Sequence, residues 1–203
     1  MNYQSASEYA IGRLRRELPG IFLYHSIRHT RAVTAAVEEF GHLEQLSQED
    51  IKLLQTAAVF HDIGYIVTAR NHEEASAQLA GEVLGGFEYS EAEIVRIQGL
   101  IRATVYPAKP KDVLEAVICD ADLEYVGRSA FFELSQLLRL ELFAFDRSFS
   151  ELEWLNYEIE FLSGVNFFTS ACRRSRMPLK KIHLEKLKAW RRILVENNNR
   201  NRI

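Results

Sequence analysis

The sequence contains few of the residues that build disulfide frameworks, secretion signals or membrane spans. Only two cysteines occur among its 203 residues, which is too few for a disulfide framework and is typical of a reducing compartment. No apolar run approaches the roughly 20 residues that a membrane-spanning helix needs. Residues 1–4 are polar and lack the apolar core of a secretion signal. We therefore expect a cytoplasmic protein without a membrane partner.

The sequence also lacks the alternating apolar and polar pattern that is typical of β-strands. Apolar residues recur instead at helical spacing along most of the chain, as Val33, Val37 and Phe40 do. Hydrophobic residues make up 47% of the sequence, which is enough to fill one core in a chain of this length. These features predict an all-α fold, a single helical domain of about eight to nine helices.

The C-terminal end has a different charge balance from the rest of the chain. We expect a long helix over residues 150–174 and a helix break at Met177 and Pro178. The last 34 residues carry eleven Lys and Arg but only two Glu. We predict a domain over residues 1–177 and, over residues 178–203, a basic C-terminal helix that packs on that domain through its apolar stripe. Binding of nucleic acid or an anionic surface is the alternative for this helix, but no other feature of the chain supports it, and we expect no nucleic-acid partner.

An adjacent histidine and aspartate end one of the apolar helical runs. His61 and Asp62 follow Val59 and Phe60 directly, and Gly64 comes two residues later. A buried carboxylate without a partner costs several kcal/mol or more. A divalent metal removes that cost, because it binds nitrogen and oxygen donors of this kind. A lone His-Asp pair is weak evidence, since most such pairs lie at the surface or at helix ends.

Two further residues strengthen the metal interpretation, because they also fall on helix faces that the pattern predicts to be buried. His29 lies four residues before Val33 on one helix, and Asp122 shares a face with Ile118 on another. Two imidazoles and two carboxylates suit Mn, Fe, Co, Ni or Zn, and Mg is also compatible. Four protein ligands on an octahedral ion leave two positions open. A metal can then activate water as hydroxide near neutral pH and polarise a phosphate oxygen.

The order of these residues resembles the HD superfamily of metal-dependent phosphohydrolases, which are all-helical. The resemblance covers most of the chain and rests on YHSIRHT (24–30), FHDIGY (60–65), NHEEAS (71–76), CDADLEYVGR (119–128) and NFFTSA (166–171). The last stretch resembles a group of mostly uncharacterised bacterial HD proteins. The resemblance implies one strong metal site with four ligands: His29, His61, Asp62 and Asp122. It gives Asp120 a supporting or helix-packing role.

The stretch from Tyr24 to His29 is also similar to a motif of the cyclic nucleotide phosphodiesterases, in which the first histidine is the general acid. That similarity implies that His25 protonates the leaving oxygen, and a histidine is suited to this role at neutral pH. We therefore predict His25 and Asp62 as catalytic residues. The alternative for His25 is a histidine at a helix start that is bonded to the backbone.

Other residues could extend the site. HD enzymes with two metals carry further histidines between the His-Asp pair and the last aspartate, and this chain has only His72 there. His72 and Glu73 are predicted to hold a weak second ion or to contact phosphate. Arginine pairs bidentately with phosphate, so three arginines are further candidates, with surface roles as the alternative: Arg28, Arg102 and Arg128.

These observations predict a phosphohydrolase that cleaves a phosphomonoester or phosphodiester, with a nucleotide as the expected substrate. Two alternatives stay open. The site could bind a metal and a nucleotide without turnover, as a regulatory module, or it could hold two irons and perform oxidative chemistry, as some HD relatives do. The substrate is expected to be a small phosphorylated molecule, and the sequence leaves the oligomeric state open.

Overall fold

The computed structural model describes residues 1–145 and 147–200, and these residues form helices and loops without a β-strand. Within that part of the chain no helix has both the length and the apolarity to cross a membrane. The all-α prediction is therefore confirmed. The α-helices are α1 (Tyr3–Glu17), α2 (Ile27–Leu43), α3 (Gln48–Phe60), α4 (His72–Val83), α5 (Glu91–Ala103), α6 (Val113–Leu123), α7 (Phe131–Phe143), α8 (Glu151–Gly164) and α9 (Ser170–Arg200).

Helix starts are set by side chains that accept the free N–H groups of the first turn. Ser47, Ser90, Asp112 and Ser150 each cap a helix in this way, at α3, α5, α6 and α8. At α5 and α8 the third helical residue is a glutamate that bonds back to the cap, so both ends form capping boxes. Each cap stabilises its helix by about 1 kcal/mol.

The helices that lead to the predicted metal ligands pack against one another at the centre of the molecule. Helix α2 packs against both α3 and α6, and α3 also packs against α5. Phe40, Leu54, Phe60 and Ile118 are fully buried between them. Because α3 and α6 both end beside α2, the residues at their C-terminal ends come together.

The region after α7 differs from the prediction of one continuous helix over residues 150–174, which is wrong. Helix α8 ends at Gly164 and α9 begins at Ser170. The break is explained by Asp120, whose carboxylate accepts hydrogen bonds from the backbone N–H groups of Phe168 (2.8 Å) and Thr169 (2.7 Å). A buried carboxylate thus takes donors that a continuous helix would use itself.

Helix α9 passes through Pro178 without a break, contrary to the predicted interruption at that residue. A proline inside a helix costs roughly 3 kcal/mol. Contacts beyond the proline offset this cost: Lys180 donates to the carbonyl of Val165 (2.6 Å), His183 Nδ1 donates to the carbonyl of Val126 (2.9 Å), and Leu187 is fully buried. The division into residues 1–177 and 178–203 stays a prediction, and residues 201–203 lie outside the described part.

Candidate metal centre

The four predicted metal ligands lie together at one point, where α2, α3 and α6 meet. His29 Nε2 lies 3.0 Å from Asp122 Oδ1 and 3.3 Å from His61 Nε2. Asp62 Oδ2 lies 3.2 Å from His61 Nε2 and 3.5 Å from His29 Nε2. His29, His61 and Asp122 each offer a donor atom within 4.8 Å of the other two. Two nitrogens and two oxygens therefore converge on a space of the size that one cation occupies.

The chemistry of these atoms fits a cation. His61 Nδ1 donates to the carbonyl oxygen of Ala58 at 2.7 Å, which leaves the Nε2 lone pair free to bind a metal. Asp62 Oδ2 is buried and, although it lies near His61, makes no well-aligned hydrogen bond. A buried carboxylate oxygen without a donor is costly, and a metal ion at this point would satisfy it.

The electrostatics of the centre keep its carboxylates ionised. Burial by itself raises the pKa of Asp62, but the positive charge of His61 outweighs this and holds the pKa well below its usual value. The pKa of Asp122 is also lowered, since contacts with His29 and His61 outweigh burial. A divalent cation would take the place of the protons that these imidazoles share with the carboxylates.

His72 is held next to this centre by an unusually close approach of α4 to the His-Asp turn. A Cβ atom on Gly64 would collide with the carbonyl oxygen of His72 and with Ser76, whose Oγ accepts from the Gly64 N–H at 2.7 Å. Glycine is therefore required here. His72 Nε2 lies 3.3 Å from Asp62 Oδ1, and its ring stacks on Tyr65 at 3.9 Å. Asp62 thus presents one oxygen to the ligand cluster and the other to His72.

His25 is partly buried and pairs with Glu141, a buried residue of α7. His25 Nδ1 lies 2.5 Å from Glu141 Oε1, and Glu141 Oε2 accepts from the backbone N–H groups of Tyr24 and His25. Burial acts to lower the pKa of His25, but the hydrogen bond with Glu141 outweighs it, so the pKa is raised. The carboxylate occupies Nδ1, which leaves Nε2 as the nitrogen that can act in the cavity.

A cavity of about 600 Å³ opens beside these groups. His25, Asp62, His72, Glu73 and Asp122 line its inner end. Aromatic and apolar side chains make up most of the remainder, and the full set of other lining residues is Tyr24, Thr104, Tyr106, Leu123, Tyr125, Leu138, Leu142, Tyr157, Glu160, Phe161 and Gly164. The ligand cluster is therefore accessible to a molecule of substrate size.

The three arginines that sequence analysis considered for phosphate contact do not line this cavity. Arg28 pairs with Glu133 at 2.7 Å, and both side chains are exposed. Arg102 forms two hydrogen bonds with Glu74, at 2.6 and 3.0 Å. Arg128 pairs with Glu124 at 2.5 Å. Arg28 and Arg128 instead line a smaller cavity of about 170 Å³, which His29 and Asp122 also line.

Glu141 was not predicted as a site residue, although the sequence contains a weak signal for it. Leu134, Leu137, Leu138 and Glu141 fall on one side of α7, so an acidic residue continues an otherwise apolar face. Tyr24 and Tyr125 were also not singled out as site residues, yet both are buried beside the cluster, and their ring centroids are 5.1 Å apart. Nothing local to either tyrosine indicates that the two rings meet.

Comparisons with known proteins agree with this arrangement. The family model described as the HD domain matches residues 23–124, a segment that contains all four predicted ligands. No curated protein matches the chain. One similar solved structure is the crystal structure of a predicted HD superfamily hydrolase from an uncultured Thermotogales bacterium, with a TM-score of 0.62 and 18% identity, covering 93% of this chain and 91% of that one. The chain belongs to the HD domain family, and so to a superfamily of metal-dependent hydrolases.

Proposed function

We propose that this protein is a metal-dependent phosphohydrolase that cleaves a phosphomonoester or phosphodiester bond, with a nucleotide as substrate. The observation that carries the proposal is the convergence of His29, His61, Asp62 and Asp122, with an unsatisfied Asp62 oxygen, beside a cavity of about 600 Å³. A cation held by these residues would acidify water near neutral pH and polarise a phosphate oxygen.

The residues around the ligands have separable roles in this proposal. His25 donates a proton to the leaving oxygen, and Glu141 keeps its ring charged and oriented through the 2.5 Å contact at Nδ1. His72 Nε2 lies 3.3 Å from Oδ1 of Asp62, the oxygen that faces away from the ligand cluster, and from there it can contact phosphate. The buried rings of Tyr24 and Tyr125 restrict access of bulk water to the cluster.

The proposal is tested with protein loaded with Mn²⁺ or Fe²⁺ and a panel of nucleotides. Release of phosphate or of a nucleoside is expected from the wild type, and its loss from His61→Ala and from Asp62→Ala. His42→Ala is the matched control, because His42 is an exposed histidine on α2. Activity that persists in both ligand variants would refute the mechanism.

Different measurements separate the two alternatives from hydrolysis: nucleotide binding without product for the regulatory module, and elemental analysis for the two-iron centre. A regulatory module would gain thermal stability from metal and nucleotide without forming product. Oxidative chemistry at a two-iron centre requires two irons per chain. Among the described residues, only one cluster of three or more metal-binding side chains occurs, and it consists of His29, His61 and Asp122. A content of two irons together with oxygen-dependent product formation would favour that alternative over hydrolysis.

A further inference from the structure

The main cavity has an unusual charge distribution for a site that binds phosphorylated molecules. Among the described residues, no lysine or arginine lines it. Four carboxylates line it: Asp62, Glu73, Asp122 and Glu160. A divalent cation would neutralise Asp62 and Asp122, so Glu73 and Glu160 remain as net negative charge. Positive charge available to a ligand would therefore be confined to the inner end, at a bound cation and at His25.

This distribution disfavours a chain of phosphates. Proteins bind successive phosphates with arginine, lysine or further metal ions. Here the neighbouring arginines are engaged elsewhere: Arg102 is held by Glu74 outside the cavity, and Arg147 lies over the ring of Phe149. A second or third phosphate would extend from the metal toward Glu73 or Glu160, where like charges repel.

The outer wall of the cavity suits an aromatic group instead. We define this wall as Tyr106, Tyr157, Glu160 and Phe161. The ring centroids of Tyr106 and Phe161 are 5.5 Å apart, and those of Tyr157 and Phe161 are 6.5 Å apart with planes inclined by only 4°. Tyr106 is 48% exposed, so its ring is available to a ligand. Aromatic rings of this kind form stacking surfaces for nucleobases.

Glu160 adds a chemical preference to this wall. It is an exposed residue on the same helix as Tyr157 and Phe161. An ionised carboxylate only accepts hydrogen bonds. It therefore favours a base edge that carries an amino group and disfavours a carbonyl oxygen at the same position.

We infer that the preferred substrate is a nucleoside monophosphate with an amino-bearing base, which places its single phosphate at the metal centre and its base against the outer wall. Glu160 is then a specificity-determining residue, and Glu73 with Glu160 excludes nucleoside diphosphates and triphosphates. This inference rests on the proposed phosphohydrolase function and adds its substrate class.

Cytidine and uridine monophosphates provide the sharpest test, because the group at C4 of the base is an amino group in the first and a carbonyl oxygen in the second, while N3 changes from an acceptor to an N–H donor. With Mn²⁺-loaded wild type, kcat/KM is expected to be at least about tenfold higher for cytidine monophosphate than for uridine monophosphate, since a hydrogen bond to a charged group is replaced by a repulsive contact. The kcat/KM for cytidine monophosphate is also expected to be at least about tenfold higher than that for cytidine triphosphate. Glu160→Gln should abolish most of the preference between cytidine and uridine, because a glutamine can both donate and accept.

Glu82→Gln is the matched control, since Glu82 is exposed on α4 and outside the lining of this cavity. It should leave both ratios as in the wild type. Equal kcat/KM values for the monophosphates and the triphosphate, or a base preference that Glu160→Gln does not alter, would overturn the inference while leaving phosphohydrolase activity in place.

A binding measurement keeps this test independent of turnover. Thermal stabilisation of the metal-loaded protein by each nucleotide should follow the same order, with cytidine monophosphate largest. A protein that hydrolyses no phosphoester, p-nitrophenyl phosphate included, but shows this order would refute the proposed function and retain the ligand class. A protein stabilised most by the triphosphate would refute the ligand class whatever its activity.

Discussion

Replacing Glu141 by glutamine should slow hydrolysis in a way that depends on both pH and leaving group. Glu141 Oε1 lies 2.5 Å from His25 Nδ1, and the glutamate side chain is almost fully buried. A hydrogen bond between charged partners contributes about 1.5–3 kcal/mol. Each 1.36 kcal/mol corresponds to a factor of ten in rate, so we expect kcat to fall roughly 10- to 100-fold above neutral pH.

The pH dependence follows from the direction of the His25 shift. Burial lowers the pKa of His25, but the hydrogen bond with Glu141 outweighs it and raises the pKa above the ordinary value. A general acid acts while it is protonated, so the rate falls as pH rises through that pKa. Without the Glu141 charge the proton is lost at lower pH, and the basic limb of the kcat profile should shift toward acid.

The assay compares a nucleoside monophosphate with p-nitrophenyl phosphate. The nitrophenolate leaves without a proton, so Glu141→Gln should affect it far less. Glu133→Gln on the same helix is the control, because Glu133 is exposed and pairs with Arg28. If Glu141→Gln slows both substrates equally, or leaves the basic limb in place, His25 is not the proton donor that we propose.

Three other perturbations test the structure. Saturating Mn²⁺, at about 100 times its Kd, should stabilise the wild type by about 2.7 kcal/mol, which raises Tm by roughly 5–10 °C, and a chelator should reverse this rise. Mn²⁺ should leave the Tm of His61→Ala unchanged. An equal rise in Tm for this variant would exclude the metal centre. Burial raises the pKa of Glu158 to about 7 from 4.5. Between these two pH values the folded state retains a proton that the unfolded state has lost. The free energy of unfolding should therefore fall by about 3 kcal/mol as the pH rises from 4.5 to 8. Denaturant titrations of Glu158→Gln should lack this slope, and a slope that persists would assign it elsewhere. Gly64→Ala should destabilise the protein by about 3 kcal/mol or more, because the added Cβ atom meets the backbone of α4. In the control Gly20→Ala, the Cβ atom meets nothing within 4 Å, so little effect is expected. Comparable losses of stability in both variants would contradict the close approach of α4 to Gly64.

The ligand cluster could be predicted because each ligand lies in a short motif on a helix with a clear apolar face. His29 follows from its spacing to Val33, and Asp122 from its spacing to Ile118, so burial of each could be inferred from its own helix. The three helices bring these faces together because their apolar sides form one core. The structure places all four ligand side chains at that point.

The support of the site depends on contacts between distant residues, which local patterns do not encode. Glu141 reaches His25 across 116 positions of the chain, and the carboxylate of Asp120 reaches the backbone of Phe168 in the break between α8 and α9 across 48 positions. For the arginines, the residue type suggested a role that the contacts in the structure do not support. Their residue type suits phosphate, but the side chains of Arg102 and Arg128 pair with nearby carboxylates.

The segment that matches the family, residues 23–124, contains every predicted ligand, whereas Tyr157, Glu160 and Phe161 belong to α8, beyond its end. The metal ligands and three of the four outer-wall residues are thus encoded in separate stretches of the chain. Under the proposed function, substitutions in α8 would change which molecules bind while the four ligand side chains stay as they are. Asp120 is the exception, because it stands two positions before Asp122 and also anchors the turn after α8, so a change there would reach both halves at once.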